Sequence, residues 1–351
     1  MIWRYLLGRL LLMVPTLIGV LALTFLIIQF VPGGPVEQMV QQLTHAGVAG
    51  EAATAQSGAL RGSQGLSPDE VAALAQLYGF DRPPLQRFVD MLLRFARFDL
   101  GESFYHHQSV GALILEKLPV SMTLGLWTFF ITYLVSLPLG IRKAVRDGSP
   151  FDVATSSALL VGYAIPGFVL GLALLVLFGG GSFWQLFPLR GLTSENWAQL
   201  SFGGKLVDYL WHITLPVTAS VVGNLAVMTL LTKNVFLEEI RRQYVYTARA
   251  KGLSERAILY RHVLRNAMIP LITGFPAAFI GAFFTGSLLI ETLFSLDGLG
   301  LLSYESVIRR DYPVVMGTLY VFTLLGLVAK LLSDLAYLWV DPRVSFEGRP
   351  R

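Results

Sequence analysis

Six apolar runs decide what this chain can fold into. They are residues 10–31, 119–141, 153–178, 210–232, 267–293 and 314–340. Each is about as long as the roughly 20 residues a helix needs to cross a bilayer's hydrocarbon. In lipid every backbone N–H and C=O must be satisfied inside the protein, so such runs become helices or the strands of a closed barrel. No run alternates apolar and polar residues as a barrel strand does, so the chain reads as an all-α polytopic membrane protein. Composition agrees: 54% of the 351 residues are hydrophobic and only 14% charged, where soluble domains carry about a quarter charged. The chain has no cysteine, which excludes disulfides and thiolate metal sites. Arg4 and Arg9 precede the first run and VPGGP closes it, so it is expected to be an uncleaved anchor rather than a signal peptide.

Placement of Lys and Arg sets the expected orientation. Arg142, Lys143, Arg146, Lys233, Arg241, Arg242, Arg249, Lys251, Arg256, Arg261 and Arg265 cluster in two connections on one side, which also holds both termini. That side is expected to be cytoplasmic. The expected organisation is an N-terminal helix (1–31), an outer loop and small helical subdomain (32–118), a five-helix core (119–341) containing a cytoplasmic loop (233–266), and a cytoplasmic tail (342–351). Within the outer part, residues 47–65 are rich in Gly, Ala, Ser and Gln and read as a loose loop. Ser67-Pro68-Asp69-Glu70 reads as a helix start that 71–80 continues. After Pro83-Pro84, LQRFVDMLLRFARF has helical spacing. His106 and His107 are chain neighbours, a poor arrangement for ligating one metal.

The stretch YVYTARAKGLSERAILYRHVLR, residues 244–265, is the most charged part of the chain and lies between two spans. Phe236, Ile240, Tyr244 and Ala248 fall on one helical face. Gly252 breaks the helix, and Ser254 caps a second with Glu255 in its first turn. The expected product is a helix, a glycine elbow and a short amphipathic helix, a shape that docks in another protein's groove. Ala257 and Ile258 are the expected apolar anchors, with Glu255 and Arg256 at a polar rim.

TARAKGLSE followed by RHVLRNAMIP resembles the cytoplasmic loop of the permease subunits of ATP-binding-cassette importers, in its dipeptide/oligopeptide form. In the family signature, Glu-Ala-Ala is followed after three residues by Gly. Tyr246 and Thr247 take the Glu and first Ala places here, and Ala248 and Gly252 match. Arg265 stands where the signature's later Pro would be, and Pro270 follows. FVPGGP, DRPPLQRF, DLGESF, LPVSMTLGL, GYAIPGF, WHITLP and the closing DPR are similar to the same family. The long outer insert and PLGIRKAVRDGSPFD resemble most closely the B subunit of its Yej-type branch. The resemblance implies six transmembrane helices of the type I importer permease fold and a multi-pass protein of the bacterial inner membrane. It implies four kinds of partner: a second homologous permease, two ATP-binding subunits, a periplasmic peptide-binding protein and membrane lipid, with no nucleic acid. ATP and Mg would sit on the ATPase subunits, and this chain would bind no cofactor. Residues Thr247, Ala248, Arg249, Ala250, Lys251, Gly252, Ser254, Glu255, Arg256, Ala257 and Ile258 would form the ATPase-coupling loop.

No Walker A sequence, HExxH or G-x-S-x-G occurs, so no catalytic or metal residues are expected. Glu291 sits near the outer end of the fifth span in GSLLIETLFSLDGLGLL, which resembles the family's ending of that span. A carboxylate at that depth marks a function or a structural partner. Glu291, Phe294 and Gly298 are therefore candidates for the translocation path or gate. A nickel or metal-chelate permease of the same family is the alternative, weakened by a single His in the spans, His212. A secondary transporter would need inverted repeats or mid-membrane charges.

Overall fold

The computed structural model describes residues 2–30, 82–179, 183–284 and 287–340. The expected loose loop at 47–65, the helix start at 67–80 and the tail at 342–351 lie outside these residues. The described chain is helical: α1 (Ile2–Phe30), α2 (Pro84–Phe95), α3 (Val110–Val145), α4 (Pro150–Ala164), α5 (Gly167–Phe178), α6 (Phe202–Ile240), α7 (Gln243–Ala250), α8 (Glu255–Ala257), a π-helical stretch (Ile258–Val263), α9 (Leu264–Phe284), α10 (Leu288–Leu293), α11 (Leu299–Ile308) and α12 (Tyr312–Val340). Its β content among the described residues is one isolated bridge, Glu102 to Ser109.

Five helices are long and apolar enough to cross a membrane, and a bent pair brings the number to six. The third expected span, 153–178, is this pair: α4 and α5 meet at 91°. Proline is the cause. It drives the preceding residue out of helical geometry, and Ile165 is extended at φ −87°, ψ 117° before Pro166 opens α5. α1, α3, α6, α9 and α12 all begin before the expected spans, and α3 and α6 also end after them, because a helix continues beyond the hydrocarbon wherever its sequence permits. The connection 294–313 contains α11, a 10-residue helix too short to show as a span.

Contacts divide the chain into two units, residues 1–6, 116–302 and 325–351 in one, and 7–115 and 303–324 in the other. Most of the first apolar helix thus groups with α2. In that second unit α2 is held by Arg87, whose guanidinium donates to the Gln29 side chain at 2.6 Å, and by Phe88 against Phe25 and Phe95 against Tyr320. Asp311, 1% exposed, accepts from Ser103 Oγ and from the Phe104 N–H, tying residues 103–104 to the start of α12.

The first unit packs as membrane helices do, through small residues that let backbones approach. A Cβ on Gly125 of α3 would fall 1.6 Å from the Ala282 carbonyl oxygen of α9. One on Gly140 would fall 2.6 Å from Thr232 Cβ of α6. Two apolar clusters result. One gathers Leu124, Ile213, Val217, Ile290, Phe294 and Leu296. The other gathers Phe236, Val245, Ala248, Ile258, Val263 and Leu271.

Candidate functional site

The elbow forms where local rules place it. Arg241 and Arg242 end α6, and α7 carries the chain to Ala250. Gly252 has φ +80°, a conformation in which side chains are strained. The Ser254 hydroxyl accepts from the Ala257 N–H at 3.3 Å and caps α8. Arg249 closes the bend by donating from Nε and Nη2 to the two oxygens of Glu255, at 2.6 and 3.0 Å. This hydrogen bonding raises the Arg249 guanidinium pKa.

The exposed surface of the elbow comprises Tyr246, Thr247, Arg249, Ala250, Lys251, Gly252, Ser254, Glu255 and Arg256. Ala248 and Ile258 are not part of it. They are 8% and 2% exposed and belong to the cluster that seats the elbow on α6 and α9. The expectation that Ile258 anchors a partner is thereby corrected, and Ala257 is only half-buried. The separate amphipathic helix is also absent: α8 is three residues long and passes through the π-helical stretch into α9. An apolar side chain at a helix start packs inward when its own protein supplies the cover.

Glu291 is fully buried. Its Oε2 accepts the Leu301 N–H at 2.7 Å and Oε1 accepts the Ser121 hydroxyl at 3.3 Å. Ser121 Oγ in turn accepts the Leu299 N–H at 2.8 Å, and the Glu291 carbonyl takes the Leu296 N–H. The carboxylate thus meets the first amides of α11, where the helix dipole favours an anion. Gly298 lies against it: a Cβ there would fall 2.5 Å from Glu291 Cδ. Phe294 is 2% exposed and packs in the first apolar cluster. The three gate candidates stand together in one closed turn. Both carboxylate oxygens are engaged within the protein, and all three residues are buried.

A cleft of about 980 Å³ opens instead beside this turn, lined by residues of α3, α4, α5, α6, α9 and α10. Among the described residues no Asp, Glu, Lys, Arg or His lines it. Sequence reading missed it, because its walls come from helices far apart in the chain.

It also missed a charge network at the other end of α3. Lys143 is fully buried and donates to the Asp152 carbonyl, Thr155 Oγ1 and Ser156 Oγ at 2.7–2.8 Å, with Asp152 Oδ1 at 3.0 Å. Asp152 also meets Lys233 at 2.6 Å, and Lys233 and Arg241 both reach Asp147. Ser149 caps α4, and Asp152 in its first turn accepts the Gly148 N–H. The spacing of Lys143, Asp147 and Asp152 held a signal, but orientation was read from Lys and Arg alone, so the two aspartates went unused. His212 is occupied as well: Nδ1 lies 2.8 Å from the Asp208 carbonyl oxygen.

Residues 136–346 match the family described as binding-protein-dependent transport system inner membrane component. The Peptidoglycan transport system permease protein YejB of Agrobacterium fabrum is 56% identical, covering 98% of this chain and 99% of its own length. The Inner membrane ABC transporter permease protein YejB of Escherichia coli O157:H7 is 53% identical over 98% and 99%. The Dipeptide transport system permease protein DppB of Escherichia coli K12 is 31% identical over 97% and 98%.

Proposed function

The chain belongs to the family of binding-protein-dependent transport system inner membrane components, and from that premise we propose how it works. It is a multi-pass permease subunit of an ATP-binding-cassette transporter, as the sequence resemblance implied. With a second permease it forms the path for short peptides or peptide-like compounds, delivered by a periplasmic binding protein. One of two ATP-binding subunits docks on the elbow at Gly252, on the cytoplasmic side that also holds both termini. ATP and Mg are bound by those subunits.

The observation that supports the coupling role is the elbow's two-sidedness. Its inner face is locked into α6 and α9 through Val245, Ala248 and Ile258, while Tyr246, Arg249 and Lys251 face outward. A partner pressing on the outer face moves the seated helices as a body. The docking chemistry is polar, aromatic and cationic, in place of the apolar anchors expected from the sequence.

The test is uptake of labelled trialanine by vesicles containing the complete transporter and its binding protein. Uptake that requires ATP and ignores a proton gradient supports the reading. Gradient-driven uptake without ATP overturns it in favour of a secondary transporter, and uptake of nickel but no peptide overturns the cargo.

A further inference from the structure

Two threonines of α3, Thr128 and Thr132, stand one helical turn apart and line the cleft. Other hydroxyls in the spans bond to the carbonyl four residues back: Thr214 to Leu210 at 2.7 Å, Thr218 to Thr214 at 2.6 Å and Thr232 to Met228 at 2.8 Å. The Oγ1 atoms of Thr128 and Thr132 have no hydrogen-bond partner among the described residues, although both are shielded from solvent and Thr132 is 6% exposed. A hydroxyl buried without a partner is unfavourable unless something arrives to meet it. Thr229 shares the property but lies outside the cleft. On the α6 wall, Asn224 turns its amide nitrogen to the Ser220 carbonyl at 2.9 Å, which leaves its own oxygen as an acceptor.

The cleft therefore offers hydroxyls on one wall, an amide oxygen on another and, among the described residues, no ionised side chain. The threonines are about 6 Å apart along the helix axis. Groups on one edge of an extended peptide recur every 6.5–7 Å or so. Phe129, Tyr133, Tyr163 and Phe168 supply apolar walls for side chains of any kind. The volume of about 980 Å³ is at the upper end of the roughly 300–1,000 Å³ of small-molecule sites.

Resting on the peptide reading above, the geometry points to Thr128, Thr132 and Asn224 as a subsite for the peptide backbone. It holds amide groups by uncharged hydrogen bonds and leaves selection by side-chain charge to other components. Weak, charge-free contacts suit a passage, where binding must permit release. An acyl chain of a lipid is the competing occupant and would use none of these polar groups.

The experiment uses the complete transporter in vesicles with saturating loaded binding protein. The probes are trialanine and its analogue with the second of its two amides replaced by an ester, which removes one N–H. The variants are Thr128→Val/Thr132→Val, which keeps shape and removes both hydroxyls, and Thr132→Val and Thr132→Ser. One net hydrogen bond is worth about a two- to tenfold change. The double variant should lower trialanine uptake by about tenfold. It should also shrink the amide-to-ester preference by about threefold, while Thr132→Ser restores both and assembly and stimulated ATP hydrolysis persist. Trialanine uptake at the wild-type rate in the double variant overturns the subsite and favours lipid. An equal loss for both probes assigns the threonines to structure and also overturns it. A wild-type transporter that moves no trialanine refutes the peptide reading itself, and the subsite falls with it.

Discussion

Gly252 and Gly298 both sit in short turns between helices, and they are glycine for opposite reasons. At Gly252 the backbone is left-handed at φ +80° and a Cβ would meet nothing within 4 Å. At Gly298 the constraint is space, with the Glu291 carboxylate 2.5 Å from where a Cβ would stand. The first turn faces outward and is closed by an Arg249–Glu255 pair whose side chains are 41% and 71% exposed. The second is closed by a fully buried carboxylate and backbone amides. One is built to be touched and the other to hold itself shut.

Substitutions separate the two. The largest effect is expected at Gly298→Val. Overpacking of a closed site costs about 1–3 kcal/mol or more, so the yield of folded protein and its melting temperature in detergent should fall sharply. Glu291→Gln comes next. It leaves a buried amide group facing donors it cannot all satisfy, at a cost of about 1–3 kcal/mol. Melting temperature should drop, and transport should fall only in proportion to the intact complex recovered. Normal stability with abolished transport per complex would return Glu291 to a gating role and break the comparison.

Gly252→Val should behave differently. The strain is about 1–2 kcal/mol in backbone alone, with no overpacking added because a Cβ meets nothing within 4 Å, so insertion should persist and melting should fall less than at Gly298. ATP hydrolysis should uncouple from uptake, or the ATPase subunits should be lost on purification. Gly252→Asn should stay nearer to wild type, since Asn tolerates this conformation. Normal coupling in Gly252→Val at normal expression would remove the elbow as the docking site. The smallest effect on stability belongs to Arg249→Ala, because exposed ion pairs contribute about 0–1 kcal/mol. Any loss of ATPase affinity there then reports contact rather than folding.

The elbow was legible in the sequence because glycine's backbone freedom and serine's capping act within a few residues. The spans were legible because bilayer thickness fixes a length. Burial was harder to see. Ala248 could be placed on an apolar face, but Ile258 was assigned outward because nothing in its neighbourhood names Val263 or Phe236 as cover. The break at Pro166 stood in plain view within GYAIPGF, and the proline rule identifies it once the apolar run is no longer taken as one rod. Lys143, Asp152 and Lys233 gave only their signs, since their pairing depends on how α3, α4 and α6 come together. Thr128 and Thr132 were noticeable only as hydroxyls in a span, and their lack of partners is a property of the packed helices.

The π-helical stretch Ile258–Val263, where the Leu264 N–H reaches the Leu259 carbonyl five residues back, is equivalent to one residue slipped into an α-helix. Each residue of an α-helix advances the azimuth by about 100°. Removing one residue from this stretch would therefore rotate α9 relative to the elbow by about that angle. Gly281 and Ala282 would swing away from α3 and the cleft, and the part of the elbow's seat that α9 supplies would turn with them. The phase of the fifth span is thus set at its beginning, by a single residue of surplus.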